Sequence, residues 1–314
     1  MKAIRIFGVV LCILWCAGGH ARAGDREIAV ALSHTAASLP VLRMLESGVL
    51  GPDVSISIDV WSAPEQLLAM AQKGRHAYYV LPLTLAARLY AKGIPLRLVN
   101  VSAWGGITLV SSDDAVGGWS DLPGRDVHVP RRSSPPDALF RYFLHHERID
   151  ETDIRLVYSS LPEIAQLVRT GRIDTAVMME PQTTRALAGG ARIVLDFEKE
   201  WQRIHGADAA LPSLGFGGTP RFLEDNPELA RRFEHAYAEA CGWIAAHPAE
   251  AGALAEKYLS LPAPLIVEAL PRLGLRYVAA ADAKQSVETF FSVLHDDSPE
   301  MIGGRIPDAG FYQE

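Results

Sequence analysis

Four consecutive polar residues, Arg131-Arg132-Ser133-Ser134, stand between a short alternating strand and a proline-started helix. Two guanidiniums and two hydroxyls in a row offer hydrogen-bond donors to an anionic or strongly polar group. Pro135-Pro136-Asp137 follows as a helix start, with Ser134 in the capping position, prolines in the first turn and an acid close behind. A helix start carries unpaired backbone N–H groups and the positive end of the helix dipole, so it suits a negative charge. Ser134 therefore has two readings, a cap for its own helix or a contact to a ligand, and Arg131 is either a ligand contact or a solvated loop arginine.

The loop sits in a segment that reads turn, strand, loop, helix: Pro123-Gly124 for the turn, 126–129 for the strand, then the apolar helix face of Ala138, Leu139, Tyr142 and Phe143. Further strands are predicted over 27–32, 54–61, 78–81, 96–101, 107–110, 154–157, 175–179 and 192–195. Helices are predicted over 38–47, 63–72, 82–90, 162–170, 180–188, 226–246, 262–269 and 283–294, with another starting at Pro248. Gly215-Phe216-Gly217-Gly218 reads as a return connection. Strands alternating with helices mean an α/β chain with mainly parallel sheets. One unit occurs twice: Gly74-Arg75 leads through a buried strand to Leu81-Pro82 and Thr84, and Gly171-Arg172 leads through another to Met179-Glu180-Pro181 and Thr183. The echo predicts two lobes of similar construction facing one another.

Ligands of parallel sheets collect outside the carboxyl ends of the strands. That rule selects Ser33, His34, Trp61, Leu81, Pro82, Thr84, Trp104 and Gly105 from the first half, and Arg131, Ser133, Ser134, Ser160, Met179 and Glu180 from the second. Trp61 and Trp104 either flank a planar or aliphatic part of a ligand or belong to the core. Glu180 either binds an amine or ring nitrogen or favours its own helix start. His34 is a donor in the cleft or an ordinary loop histidine, and Thr84 and Ser160 are ligand contacts or caps.

The start of the chain reads as a secretory signal, residues 1–23: basic Lys2 and Arg5, an apolar run over 6–17, and Ala21-Arg22-Ala23 for cleavage before Gly24. Lipidation at Cys12 or Cys16 is the alternative, but Leu11 and Trp15 stand where a small residue is wanted. Cleavage leaves Cys241 alone, so the exported chain has no intrachain disulfide and rests on its core. The formal charge of −7 becomes −10 once Lys2, Arg5 and Arg22 are removed, which excludes the balance of a nucleic-acid binder. An enzyme finds little support. G-x-S-x-G, H-E-x-x-H, P-loop and G-x-G-x-x-G patterns are absent. His145-His146-Glu147 lacks metal-site spacing, Cys241 lies on an amphipathic helix as an apolar filler, and no cofactor or metal is expected.

Several of these residues carry a family resemblance. Asp121-Leu-Pro-Gly-Arg through Val129-Pro130, Ser133-Ser134-Pro135-Pro136-Asp137 and Phe140-Arg141-Tyr142 is similar to a segment of periplasmic solute-binding proteins of ABC importers, in the nitrate/sulfonate/taurine and thiamine-precursor group. Gly171-Arg-Ile-Asp-Thr-Ala with Glu180-Pro181, Lys92-Gly93 with Trp104-Gly105, and Trp243 with Pro248-Ala249-Glu250-Ala251 resemble three further motifs of that group in the same order. The resemblance implies a two-lobed type II periplasmic binding protein. Lobe 1 would be 24–110 with the C-terminal helical part 212–314, and lobe 2 would be 111–211. It further implies a monomer in the periplasm that closes on a small-molecule ligand and delivers it to an ABC permease in the inner membrane. Arg131-Arg132 departs from the small residues usual in the group, and His76-Ala77-Tyr78 from its frequent Asp. The CCCFC run of yeast-type pyrimidine-synthesis relatives is missing. A sulfonate-, nitrate- or taurine-like solute is the leading expectation. A thiamine-precursor pyrimidine, or a sensing role at a membrane receptor, is the alternative.

Overall fold

The computed structural model describes residues 26–314; the expected signal segment, 1–23, lies outside the described residues. The chain forms two sheets in mixed α/β order, each flanked by helices. The first begins with β1 (Arg26–Ser33), α1 (Leu39–Ser47), β2 (Val54–Trp61), α2 (Pro64–Lys73), β3 (Tyr78–Pro82), α3 (Leu83–Ala91) and β4 (Arg97–Trp104). The chain then crosses into β5 (Ile107–Ser111), β6 (Asp126–Pro130), α4 (Pro135–His146), β7 (Arg155–Ser159), α5 (Leu161–Arg169), β8 (Thr175–Met179), α6 (Gln182–Leu187) and β9 (Arg192–Asp196). It returns through α7 (Phe197–His205) to β10 (Pro212–Gly218), then α8 (Pro220–Asp225), α9 (Pro227–Ala246), α10 (Pro248–Leu259), α11 (Ala263–Ala269), β11 (Leu275–Ala279) and α12 (Ala280–Asp297).

The sheet orders are β11-β4-β10-β3-β1-β2 and β7-β6-β8-β5-β9. Leaving out β11, the two are the same pattern, with β3 and β8 in equivalent places. The repeated Gly-strand-Pro unit of the sequence is thus the third strand of each lobe. In both sheets the parallel strands end at the gap between the lobes, and one strand of opposite direction, β10 or β5, is inserted beside the third.

Strands buried on both faces are apolar without a break, which explains runs such as Tyr78–Leu81. On one face of the first sheet Ile28, Val30 and Leu32 meet α1 and α9; on the other Ala31, Tyr79 and Leu81 meet α2, α3 and α12. In the second sheet Ala176 and Met178 pack on α5 and α6, while Val127, Val129 and Val177 pack beneath Phe140 and Phe143 of α4 and Phe197 of α7. The cluster beneath α4 is continuous with the one beneath α12, so one apolar core spans both lobes.

Four elements differ from expectation. Gly215–Gly218 belongs to a central strand, β10, rather than to a connection. A Cβ on Gly215 would stand 2.7 Å from the Asn100 carbonyl oxygen, and one on Gly217 the same distance from Leu96, so glycine lets β10 fit among its neighbours. Helices α7 and α8 and strand β11 have no counterpart among the predicted elements. Gly105 and Gly106, at φ of 64° and 80°, turn β4 into β5, and Gly105 N–H donates to Leu211 O at 2.7 Å, tying the two crossings together.

Candidate functional site

The Arg131–Ser134 loop is held in an unusual shape. Arg131 and Ser133 both have left-handed backbone angles, φ of 52° and 56°, which cost an ordinary side chain about 1–2 kcal/mol each. Asp137, 0% exposed, secures the loop from within the first turn of α4. Its carboxylate accepts Ser133 N–H at 2.8 Å, Tyr158 OH at 2.9 Å and Arg141 Nη2 at 3.0 Å. A buried carboxylate needs such partners to persist. Burial, reinforced by the bond to Asp137, pushes the Tyr158 phenol up to about 12.

Ser134 does not cap its helix. Its hydroxyl donates to Pro130 O at 2.5 Å and Arg131 O at 2.8 Å, and it accepts nothing from the helix. It folds the loop back on itself. Pro135 and Pro136 also occupy the first two helical positions and carry no N–H. The expectation of a donor-rich helix start is corrected accordingly: α4 offers fewer backbone donors than a helix start normally does. What remains at the surface is side-chain chemistry. Arg131, Arg132 and Ser133 are exposed, and Arg132 lies over the Tyr158 ring at 4.8 Å. Among the described residues neither guanidinium pairs with a carboxylate. Ser160, at the start of α5, is exposed and makes no capping bond.

The first lobe contributes less than expected. Ser33 is buried, its hydroxyl bonded to Thr35 Oγ1 at 2.8 Å and close to Ser38 Oγ at 3.3 Å. His34 is exposed beside it. Trp61, 7% exposed, packs in the core with Leu67 and Leu81, and Leu81 is wholly covered. Pro82 and Thr84 are half-buried.

Trp104, Gly105 and Glu180 line a separate hollow of about 490 Å³ between the two crossings and the 271–276 segment. Trp104 is 5% exposed; its Nε1 donates to Arg276 O at 3.2 Å, and the Arg276 guanidinium covers its ring at 4.5 Å. Glu180 is committed to protein partners: Thr184 Oγ1 at 2.8 Å, Thr184 N–H at 3.2 Å, and Arg272 in an ion pair. Arg272 also donates to Thr184 Oγ1 at 2.5 Å. It belongs to the segment between α11 and β11, so this pair joins the first lobe to the second. Glu198, in the same hollow, accepts Leu211 N–H at 2.9 Å; burial raises its carboxyl above the ordinary range, against the bond to Leu211 and the charge of Arg276. Met179 is half-buried at the end of β8.

Asp137, Tyr158, Arg272 and Arg276 were missed by sequence reasoning. Asp137 has a signal: an acid three residues beyond Ser134 and four before Arg141. Arg272 and Arg276 had none, because they sit in a C-terminal stretch whose strand was not recognised. Among the described residues no group of three or more His, Cys, Asp and Glu is placed to hold a metal, and no helix is long and apolar enough to cross a membrane.

Two lobes of equivalent topology, joined by two crossings and ending their parallel strands at one gap, are the architecture of type II binding proteins. The profile of the NMT1-like family matches residues 83–259, from α3 through the second lobe and its return to α10. The chain belongs to the NMT1-like family. Among solved structures, this NMT1-like chain resembles an ABC transporter protein from Parabacteroides distasonis, at 26% identity and a TM-score of 0.79, over 92% of this chain and 99% of that one. It also shares the fold of the periplasmic aliphatic sulphonate binding protein SsuA from Escherichia coli, at 20% identity and a TM-score of 0.68, over 89% and 96%. The periplasmic nitrate-binding protein NrtA from Synechocystis PCC 6803 follows at 13% identity and 0.60, over 88% and 84%. No curated protein sequence matches the NMT1-like chain.

Proposed function

We propose that this protein is the periplasmic solute-binding component of an ABC importer, taking up a small anionic solute of the sulfonate, nitrate or taurine type without changing it chemically. The single observation that carries the anionic reading is the Arg131–Ser133 loop. Two non-glycine residues are kept in left-handed conformations, at a cost, Ser133 by the buried Asp137 carboxylate and Arg131 by bonds to Ser134 Oγ and Ser159 O, while two guanidiniums and a hydroxyl are left at the surface without carboxylate partners. Backbone strain held in place by surrounding structure points to function. The moving bodies in this reading are 24–110 with 212–314, and 111–211, rotating about the two crossings to close on the ligand before an inner-membrane permease receives it. A heterocycle is less favoured, because Trp61 and Trp104 are both covered.

The test is calorimetry and thermal shift with alkanesulfonates, taurine, nitrate and carboxylates beside hydroxymethylpyrimidine. A true ligand at a hundred times its Kd adds about 2.7 kcal/mol of stability. Arg131→Ala is expected to weaken an anion at least about tenfold, a charge-assisted bond being worth about 1.5–3 kcal/mol, while leaving the unliganded melting temperature unchanged. Binding of the pyrimidine alone, or equal anion affinity in the variant, overturns the anionic reading.

A further inference from the structure

We propose that Arg141 is a positioning residue that couples the shape of the Arg131–Ser134 loop to the angle between the lobes. The proposal rests on the solute-binding reading above for its purpose, though not for its geometry. Arg141 lies one helical turn after Asp137 on α4, and the two form an i,i+4 pair. Its Nη2 is shared between two carboxylates: Asp137 at 3.0 Å within its own lobe, and Asp297 at 2.9 Å at the end of α12. Asp297 is the last residue of α12, a helix that grows from β11 and packs on the first sheet. A single guanidinium nitrogen therefore joins the first lobe to the carboxylate that holds Ser133 N–H.

The chain of contacts continues to the surface. Asp137 also receives Tyr158 OH, and Arg132 lies on the Tyr158 ring, so both strained backbone and exposed cation are tied to the same carboxylate. Rotation of the lobes moves α12 against α4. When Asp297 withdraws, Arg141 gives its charge wholly to Asp137, and when Asp297 approaches, Asp137 must share it. Either change alters the acceptor that secures Ser133. Because coupling free energies are reciprocal, a group seated on the loop biases the α4–α12 contact as strongly as that contact biases the loop. Glu300 and Asp137 face Asp297 as further acids, and Arg141 is the cation among them. The other bridge between the lobes, Arg272 with Glu180 and Thr184, ends on α6 and not on the loop.

The test uses the unliganded chain and two readouts. Hydrogen exchange at Ser133 and Ser134 reports the loop, and the distance between spin labels at Lys73→Cys and Glu163→Cys, both exposed positions, reports the lobe angle. With the chain begun at Gly24, Cys12 and Cys16 are absent, and Cys241 is buried and does not compete for label. Asp297→Ala is expected to speed loop exchange about fivefold or more, at the low end of usual coupling factors, and to shift or broaden the interlobe distance. Asp297→Glu should restore both. Arg141→Met is expected to match Asp297→Ala in lobe angle and to exceed it in loop exchange; should it fail to fold, the Asp297 pair decides alone. Unchanged loop exchange in Asp297→Ala, or a changed lobe angle with an unchanged loop, overturns the coupling. No solute enters these measurements, so a negative ligand screen refutes the function while leaving this result standing.

Discussion

Asp137 carries more of the site than any residue that faces solvent. Truncating it would leave a half-buried guanidinium, a phenol and a backbone N–H without their shared acceptor, and removing one partner of a buried pair costs up to about 3–5 kcal/mol. Asp137→Ala is therefore expected to lose that much in urea unfolding at pH 7, while Arg132→Ala, at an exposed neighbour, stays within about 0.5 kcal/mol of the parent. At this scale the sequence was legible for surface chemistry and not for support. Arg131 and Ser133 announce themselves as a run of donors. That Ser134 would bond Pro130 O and Arg131 O, and that Asp137 would take over the loop, depends on the left-handed turns at Arg131 and Ser133. Arginine and serine rarely adopt such turns, so their sequence gives no warning. Glu180 was visible as a strand-end acid, but its partner Arg272 lies 92 positions away and no local pattern links them.

Among the elements, β11 is the one whose absence from the sequence reading mattered most. It lies at the edge of the first sheet, four of its five residues half-buried and Arg276 exposed, so its apolar signal is diluted. Gly274 admits it. With φ of 55°, a Cβ there would stand 2.2 Å from the Trp104 carbonyl oxygen, at the root of the first crossing. Gly274→Ala is expected to cost about 1–3 kcal/mol from overpacking alone and to lower the melting temperature in calorimetry, with the left-handed angle adding to the loss. Gly48→Ala, equally left-handed but with nothing within 4 Å of its Cβ, isolates the backbone part of that penalty. Glu198 gives the crossing a pH dependence. A carboxyl whose folded value is raised adds stability below its ordinary value near 4.5, and that contribution is lost as pH rises through the folded value. Glu198→Gln should therefore melt higher than the parent at pH 7, and the advantage should vanish by about pH 4. An unchanged difference across that range would mean the carboxyl is not desolvated.

The whole molecule is two lobes by topology and one by its core. Phe140 and Phe143 of α4, Phe197 of α7, and Phe290 and Leu294 of α12 fall in a single apolar cluster, so neither lobe can lose its packing without exposing part of the other. The unliganded chain is expected to unfold in one calorimetric transition with equal calorimetric and van't Hoff enthalpies. Two resolved peaks would show that the lobes melt separately. The two-lobed plan was legible from the echo of residues 74–89 in 171–187, because equivalent third strands need the same glycine stop and proline start. The shared core was not, since periodicity shows which face of a helix is apolar and not which lobe will cover it. The paired prolines at the start of α4 have a consequence at this scale. They take two backbone donors from a helix start. Attraction is left to guanidiniums in open water, whose reach shrinks from about 30 Å at 0.01 M salt to about 10 Å at 0.1 M. On the proposed reading, capture of an anion at this loop weakens as salt rises over that range.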